Sequence, residues 1–416
     1  MLTHPMFSSH RMSRPKTKKM SIQQLKSEVR EELIQNILPF WSTKMIDPNG
    51  GFYGQISGEG KVIAEADKGG ILNARILWSF SSAYLHEKNP IYLEMANRAK
   101  SYILEHFFDQ EFGGTYWMIS SDGKPVDTKK QIYSQAFFIY AFTEHFRATG
   151  EESSLQTAVE LFRIIEKYSF DTELNGYFEA YSRDWKLLED LRLSEKDENE
   201  KKTMNTHLHI LEAYTNLFRV WKDDELKKQL LNLILIFTEK IVNQQTHHLD
   251  LFFDENWNTK STIVSFGHDI EASWLIDEAA RVLGDTKLLA EVQKICIKIA
   301  EASCEGLQPD GSMVYETDNG HLESDRHWWV QSEALVGFLN AYELTENSEW
   351  LNKAENCWKY ISEKLIDRVG GEWFWSISDA GISNRFDDKA GFWKCPYHNS
   401  RMCLEVMMRA ENDYQY

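Results

Sequence analysis

The sequence predicts an all-α protein, a single (α/α)6 barrel with short β-hairpins in its connecting loops. Three observations carry this. Glycine–aromatic clusters recur at regular spacing, helix-period apolar stretches lie between them, and helices apolar nearly all round alternate with helices that have a charged face. With only 8 Pro and almost no Val–Thr alternation, a sheet protein is disfavoured.

In order, the clusters are Asn49–Gly54 (NGGFYG), Phe112–Met118 (FGGTYWM), Leu174–Tyr181 (LNGYFEAY), His248–Asp254 (HLDLFFD), Asp310–Glu316 (DGSMVYE) and Gly370–Trp375 (GGEWFW). Each reads as a tight turn flanked by short extended aromatic segments, and successive clusters lie roughly 60 to 75 residues apart, the regularity of a repeat architecture. The stretches Ile71–Tyr84, Ile132–Phe146, Thr203–Phe218, His268–Leu283, Trp328–Tyr342 and Tyr397–Met408 are apolar on almost every face and predict buried helices. Ile22–Phe40, Pro90–His106 and Leu155–Tyr168 are amphipathic and predict an outer layer. Two concentric rings of six follow.

The copies align with one another. Arg75, Asn205 and Glu333 each precede by nine residues a Tyr that follows an Ala, at Ala83-Tyr84, Ala213-Tyr214 and Ala341-Tyr342. Gln135, His268 with Glu271, and His398 with Arg401 fall near the same N-terminal slot. In a closed inner ring those ends converge on one mouth lined with Arg, Asn, His and Glu. For any one position a helix cap is the competing explanation. The charged run Ser194–Lys202 (SEKDENEKK) reads as a solvated loop, with a lid over the mouth as the alternative.

No composition break marks a linker, so residues 20–416 are expected to form one catalytic domain. The first 19 residues are basic and lack an apolar core, which argues against a secretory signal and for a disordered extension before Met20. A formal charge of −18 disfavours nucleic acid and anionic membranes as partners and favours a neutral substrate. The five cysteines form no CxxC pair and are odd in number, as expected of reduced thiols in a cytoplasmic protein. No apolar run approaches the roughly 18 residues of a membrane span.

The chemistry concentrates in two stretches, SFGHDIEASWLI (265–276) and GFWKCPYHNSRMCLE (391–405). The first carries His268 and Glu271 at i, i+3 on one helix face, and Glu271 is expected to orient His268 and support its protonated form. A metal held there with His209 or His398 is the weaker reading, because tryptophans rather than carboxylates crowd the site; no metal and no cofactor is expected. No GxGxxG, P-loop or HExxH occurs. Trp117, Trp328, Trp329 and Trp393 offer flat faces for sugar rings, one indole of the adjacent pair packing into the wall and the other reaching the mouth. Trp78, Trp274 and Trp358 read as core. Two imidazoles with Arg75 to hold an oxyanion, and no Ser or Cys nucleophile in an elbow, favour proton abstraction beside a carbonyl over hydrolysis.

At these residues the sequence resembles the cellobiose 2-epimerases of the N-acylglucosamine 2-epimerase superfamily, from about Ile22 to the C-terminus. The motifs are ADKGGILNARILW, KTMNTHLHILEAY, SFGHDIEASWL, RHWWVQSEALVGFLNAY and GFWKCPYHNSRMCLE. The resemblance implies interconversion of glucose and mannose at the reducing end of a β-1,4-linked disaccharide, without metal or nucleotide. It implies that His268 and His398 are the acid/base pair and that Arg75, Asn205, His209 and Glu271 bind and polarise the open-chain sugar, Arg75 and His209 counted with the catalytic set. Trp329, with Trp328, and Trp393 would stack on the disaccharide, and Glu333 and Trp117 complete the expected binding residues. A monomer acting on a small disaccharide is expected. A mannobiose 2-epimerase is the nearest rival; an (α/α)6 glycoside hydrolase using Glu271 and Glu333, or a non-catalytic sugar-binding protein, are the rivals from other classes.

Overall fold

Outer and inner helices alternate along the chain in a computed structural model that describes residues 21–411; the expected N-terminal extension lies outside the described residues. The helices are α1 (Ile22–Glu32), continued through a π-turn into α2 (Leu38–Thr43), α3 (Gly70–Glu87), α4 (Pro90–His106), α5 (Ile132–Thr149), α6 (Glu152–Tyr168), α7 (Met204–Val220), α8 (Asp224–Ile236), α9 (Phe266–Leu283), α10 (Thr286–Ser303), α11 (Trp328–Thr345), α12 (Ser348–Tyr360) and α13 (Tyr397–Glu411). The stretches read as apolar all round, α3, α5, α7, α9, α11 and α13, are buried along most of their length. Each packs on the next, and α13 packs back on α3, so their contacts form a closed cycle. The other helices pack outside it; α1 covers α13.

The sixfold pattern of clusters becomes six hairpin bridges: Ile46 with Phe52, Phe108 with Thr115, Phe170 with Tyr177, Val242 with Leu249, Leu307 with Met313 and Ile366 with Trp373. In the second, Gly114 has φ of 70°, and a Cβ there would lie 2.8 Å from the Trp185 ring, so the position demands glycine. A two-residue strand precedes five of the six inner helices and pairs with the segment after the next hairpin: 68–69 with 118–119, 130–131 with 180–181, 202–203 with 252–253, and 326–327 with 376–377. Strand 264–265 pairs with 316–317, and Ile56 bridges Ala390. These pairings hold the N-terminal ends of the inner helices at one end of the molecule.

Two devices invisible in the apolar pattern fasten the hairpins. A buried lysine ahead of an inner helix meets the aspartate that opens a turn, in Lys68–Asp47 (2.6 Å), Lys130–Asp109 (2.9 Å), Lys202–Asp171 (2.8 Å) and Lys389–Asp367 (2.6 Å). The fourth residue of four inner helices clamps the preceding hairpin backbone. Gln135 bonds both N–H and C=O of Thr115, Gln331 does the same to Met313, His207 takes the Tyr177 N–H and Asp269 that of Leu249. Gln135 is therefore a structural clamp, a correction to its place among mouth residues.

Trp41, Trp274 and Trp373 are buried, and each indole N–H finds a carboxylate: Glu372, Glu333 and Glu32 respectively. Trp78 and Trp358 are core residues as expected. Among the described residues no helix is long and apolar enough to cross a membrane.

Candidate active site

The mouth opens on a cavity of about 420 Å³, the size of a small-ligand site. Arg75, Asn205, His209, His268, Glu271, Trp328, Trp329, Trp393 and His398 all line it. The side chains come from equivalent turns. Counted from its helix start, the sixth residue is Arg75 in α3, Phe137 in α5, His209 in α7, Glu271 in α9 and Glu333 in α11; Arg401 is the fifth of α13. Asn205 is the second residue of α7. Its alignment with Arg75 and Glu333 by the downstream Ala-Tyr pair is thus about one turn out of register. His209 occupies the equivalent slot, and Asn205 reaches the cavity from the turn above.

His268 and His398 both lie against one indole. The Trp329 ring centroid lies 4.8 Å from that of His268 and 5.7 Å from that of His398. Trp328, 3% exposed, packs into the cavity wall against Trp375 at 4.7 Å. Trp393 stands by Tyr133 at 6.2 Å. Trp117, 6% exposed, packs behind Trp393 and Phe392 at 6.1 and 4.9 Å, so it supports the Trp393 platform rather than presenting its own face.

The histidine partners differ from those expected. Nδ1 of His268 lies 2.8 Å from Oγ of Ser265, not on Glu271. A hydroxyl can donate or accept, so this partner suits a neutral imidazole in either tautomer. His398 donates from Nδ1 to Oε1 of Glu333 at 2.7 Å, and His209 from Nδ1 to Oε2 of Glu212 at 2.9 Å; each Nε2 is left for another partner. Glu271 accepts from Arg401 at 2.7 Å, as does Glu333. Arg401 also donates to Glu212 and to the Tyr397 hydroxyl, and lies over the Trp274 ring at 4.7 Å. One fully buried guanidinium therefore joins three buried carboxylates. Glu333, 1% exposed and bonded to His398, Arg401 and Trp274, has no face toward a ligand; its expected binding role becomes one of support.

Glu271, Glu333 and His398 offer ligand atoms within 4.8 Å of one another, a spacing a metal could use. The Arg401 guanidinium already occupies the region between the two carboxylates, and a second cation there would meet its repulsion. Arg75 donates to the Tyr133 hydroxyl at 2.8 Å and stacks on Phe137 at 4.1 Å, which fixes its guanidinium in the cavity wall. Nε of Arg75 and Oδ1 of Asn205, both buried, have no protein partner among the described residues.

Enclosure dominates the titration behaviour. Burial lowers His268 to about 3, reinforced by the neighbouring His209 and His398. Burial lowers His398 to about 3 against the pull of Glu333, and lowers His209 against that of Glu212. Burial and the nearby Glu333 raise Glu271, whereas in Glu333 the burial effect is outweighed by Arg401 and His398, and its carboxyl is lowered. Elsewhere burial lowers His145 and His207 to about 4. An imidazole whose folded value lies below its unfolded one takes up a proton on unfolding. Its contribution is complete above about 6.5 and is lost as pH falls toward 4 and 3. Urea unfolding midpoints are expected to fall between pH 6.5 and 4 with proton uptake; a flat midpoint across that window would contradict this.

The run Ser194–Lys202 is not simply solvated. Leu193, Ser194, Lys196 and Asp197 form part of the cavity wall, so this loop reaches the mouth.

With this geometry in place, the N-acylglucosamine 2-epimerase (GlcNAc 2-epimerase) family pattern matches residues 51–400. The chain belongs to that family. It is 55% identical over 386 residues to a cellobiose 2-epimerase of Bacteroides fragilis, covering 92% of this chain and 98% of that one. It is 40% identical over 391 residues to a cellobiose 2-epimerase of Dictyoglomus turgidum, covering 94% of this chain and 100% of that one. The solved cellobiose 2-epimerase of Bacillus thermoamylovorans B4167 superposes with a TM-score of 0.89 at 44% identity, covering 93% of this chain and 100% of that one. In this epimerase-family chain, sequence reasoning missed Tyr133 and Glu212 as site residues and placed Arg401 at the mouth without a role. Arg401 was visible in the motif with His398, and Glu212 stands at i+3 from His209, so both had a signal; Tyr133 had none beyond its place at a helix start.

The tandem tryptophans give a paired prediction. Trp329→Ala is expected to lower kcat/KM by about tenfold or more while costing less stability than Trp328→Ala, as follows if the half-buried ring is the expected stacking surface. Trp328→Ala is expected to cost about 3–5 kcal/mol of stability, the range for emptying a buried aromatic site. Steady-state kinetics and urea unfolding of both variants check the split.

Proposed function

We propose that this chain is a cellobiose 2-epimerase built on an (α/α)6 barrel, interconverting glucose and mannose at the reducing end of a β-1,4-linked disaccharide. The observation that carries the reading is the pair of imidazoles, His268 and His398, both against Trp329 and both lining one cavity. The closed cycle of inner helices supports the barrel, and the close relatives support the substrate.

In the proposed reaction the reducing sugar opens to its aldehyde, which acidifies the hydrogen at C2. One histidine removes that proton, and Arg75 stabilises the negative charge developing on O1. The cis-enediol(ate) turns about its C2–C3 bond, presenting its opposite face, and the other histidine returns a proton there. Reversing the two roles runs the reaction backwards. Trp329 and Trp393 stack on the sugar rings, Asn205 and His209 bind hydroxyls, and Glu271 is held beside the reacting end by Arg401. A hydrolase reading is weakened because Glu333 is saturated by His398, Arg401 and Trp274 and cannot flank a glycosidic bond.

The test is incubation with cellobiose in heavy water, followed by NMR. Deuterium at C2 of the reducing residue with the mannose epimer appearing is the expected result. Free glucose without label at C2, or no change in the sugar, would overturn the reading.

A further inference from the structure

We propose that Glu212 is a positioning residue for the epimerase reaction, holding His209 in the Nδ1–H tautomer so that its Nε2 lone pair accepts a hydrogen bond from a sugar hydroxyl. The inference rests on the epimerase reading for its kinetic part and on geometry alone for its tautomer part.

Glu212 lies one helical turn below His209 on α7, with Oε2 2.9 Å from Nδ1 and both side chains buried, 1% and 3% exposed. Its other oxygen, Oε1, accepts from Arg401 and the Tyr397 hydroxyl. The carboxylate is thus ionised and fixed from α13, and burial is outweighed by Arg401 and His209 in keeping it so. An ionised carboxylate has no proton to give, so the hydrogen between it and the imidazole belongs to Nδ1. The ring itself cannot turn easily: Phe137 lies 4.7 Å and Tyr133 4.9 Å from its centroid. His209 lines the cavity, and its second nitrogen is the one available there.

The same arrangement occurs at His398 with Glu333, while His268 has only the Ser265 hydroxyl. Two imidazoles in the cavity therefore carry a buried carboxylate behind them, and both carboxylates meet on Arg401. The titratable and charged groups set against His209 are Arg75 from α3, Tyr133 from α5, Glu212 on α7, His268 from α9 and Arg401 from α13.

Glu212→Gln keeps the shape but presents an amide N–H to Nδ1, which reverses the tautomer and turns an N–H donor toward the sugar, as amide-for-carboxylate exchange does behind a catalytic histidine. The expected result is a fall in kcat of about 100-fold or more with KM changed by less than about threefold, a displaced pH profile, and partial recovery in Glu212→Asp. Nitrogen-15 NMR of histidine-labelled protein, with the His209 signal assigned through His209→Gln, is expected to show an unprotonated Nε2 in the native chain and a protonated one in Glu212→Gln. Native kcat and pH profile in a folded Glu212→Gln, or a protonated Nε2 on neutral His209 in the native chain, would overturn the proposal. The NMR reading on the native chain stands even if Glu212→Gln fails to fold. A native tautomer as expected with no turnover of cellobiose would fault the epimerase reading instead.

Discussion

His268→Asn and His398→Asn are each expected to abolish measurable epimerisation, a loss of at least about 10²–10⁴-fold from the removal of one proton-transfer group. Both variants should keep the fold, because each imidazole makes few bonds that asparagine cannot replace: one to the Ser265 hydroxyl, one to Glu333. A two-base site makes a further demand. With one base gone, the survivor can still remove and return a proton on its own face, so each variant should wash deuterium into C2 of one epimer without forming the other. The two variants should label opposite epimers. Proton NMR of cellobiose and of its mannose epimer in heavy water reads both outcomes. Normal turnover in either variant would remove that residue from the reaction, and labelling of the same epimer by both would rule out bases on opposite faces.

Arg401→Met is expected to cost about 3–5 kcal/mol of stability, the range for stranding a buried charge, because it deprives Glu212, Glu271 and Glu333 of their shared cation. Arg401→Lys should recover little of this. A single ammonium lacks the planar fork that reaches Glu212 and Tyr397 with one nitrogen and Glu271 and Glu333 with the other. Adding Glu212→Gln to Arg401→Met should return part of the loss, since the carboxylate that Arg401 keeps ionised is then removed. Equilibrium urea unfolding of the single and double variants measures the coupling. Strict additivity would mean that the carboxylates do not depend on the guanidinium.

The inner helices were legible because burial on all faces writes itself into the chain as uninterrupted apolar character, and the hairpins because a tight turn needs glycine and flanking aromatics. Register was less legible. Counting back from the Ala-Tyr pairs put Asn205 level with Arg75, but Tyr84 and Tyr342 are the fifteenth residues of their helices and Tyr214 the eleventh. A packing residue near one end of a helix does not fix the distance to the other. Gln135 shows a related limit: a polar residue in a first turn serves a hairpin backbone or a ligand equally well in sequence.

Residue type and local spacing determined which side chains could do chemistry, so both histidines, Arg75 and the tandem tryptophans were visible in the chain alone. Pairing was decided only in three dimensions. Glu271, three residues from His268, turns to Arg401, 130 residues away, while His398 takes Glu333, 65 residues away. At i, i+3 two side chains share a helix face, but a buried carboxylate goes to the strongest donor within reach, and in a closed ring that donor arrives from another helix.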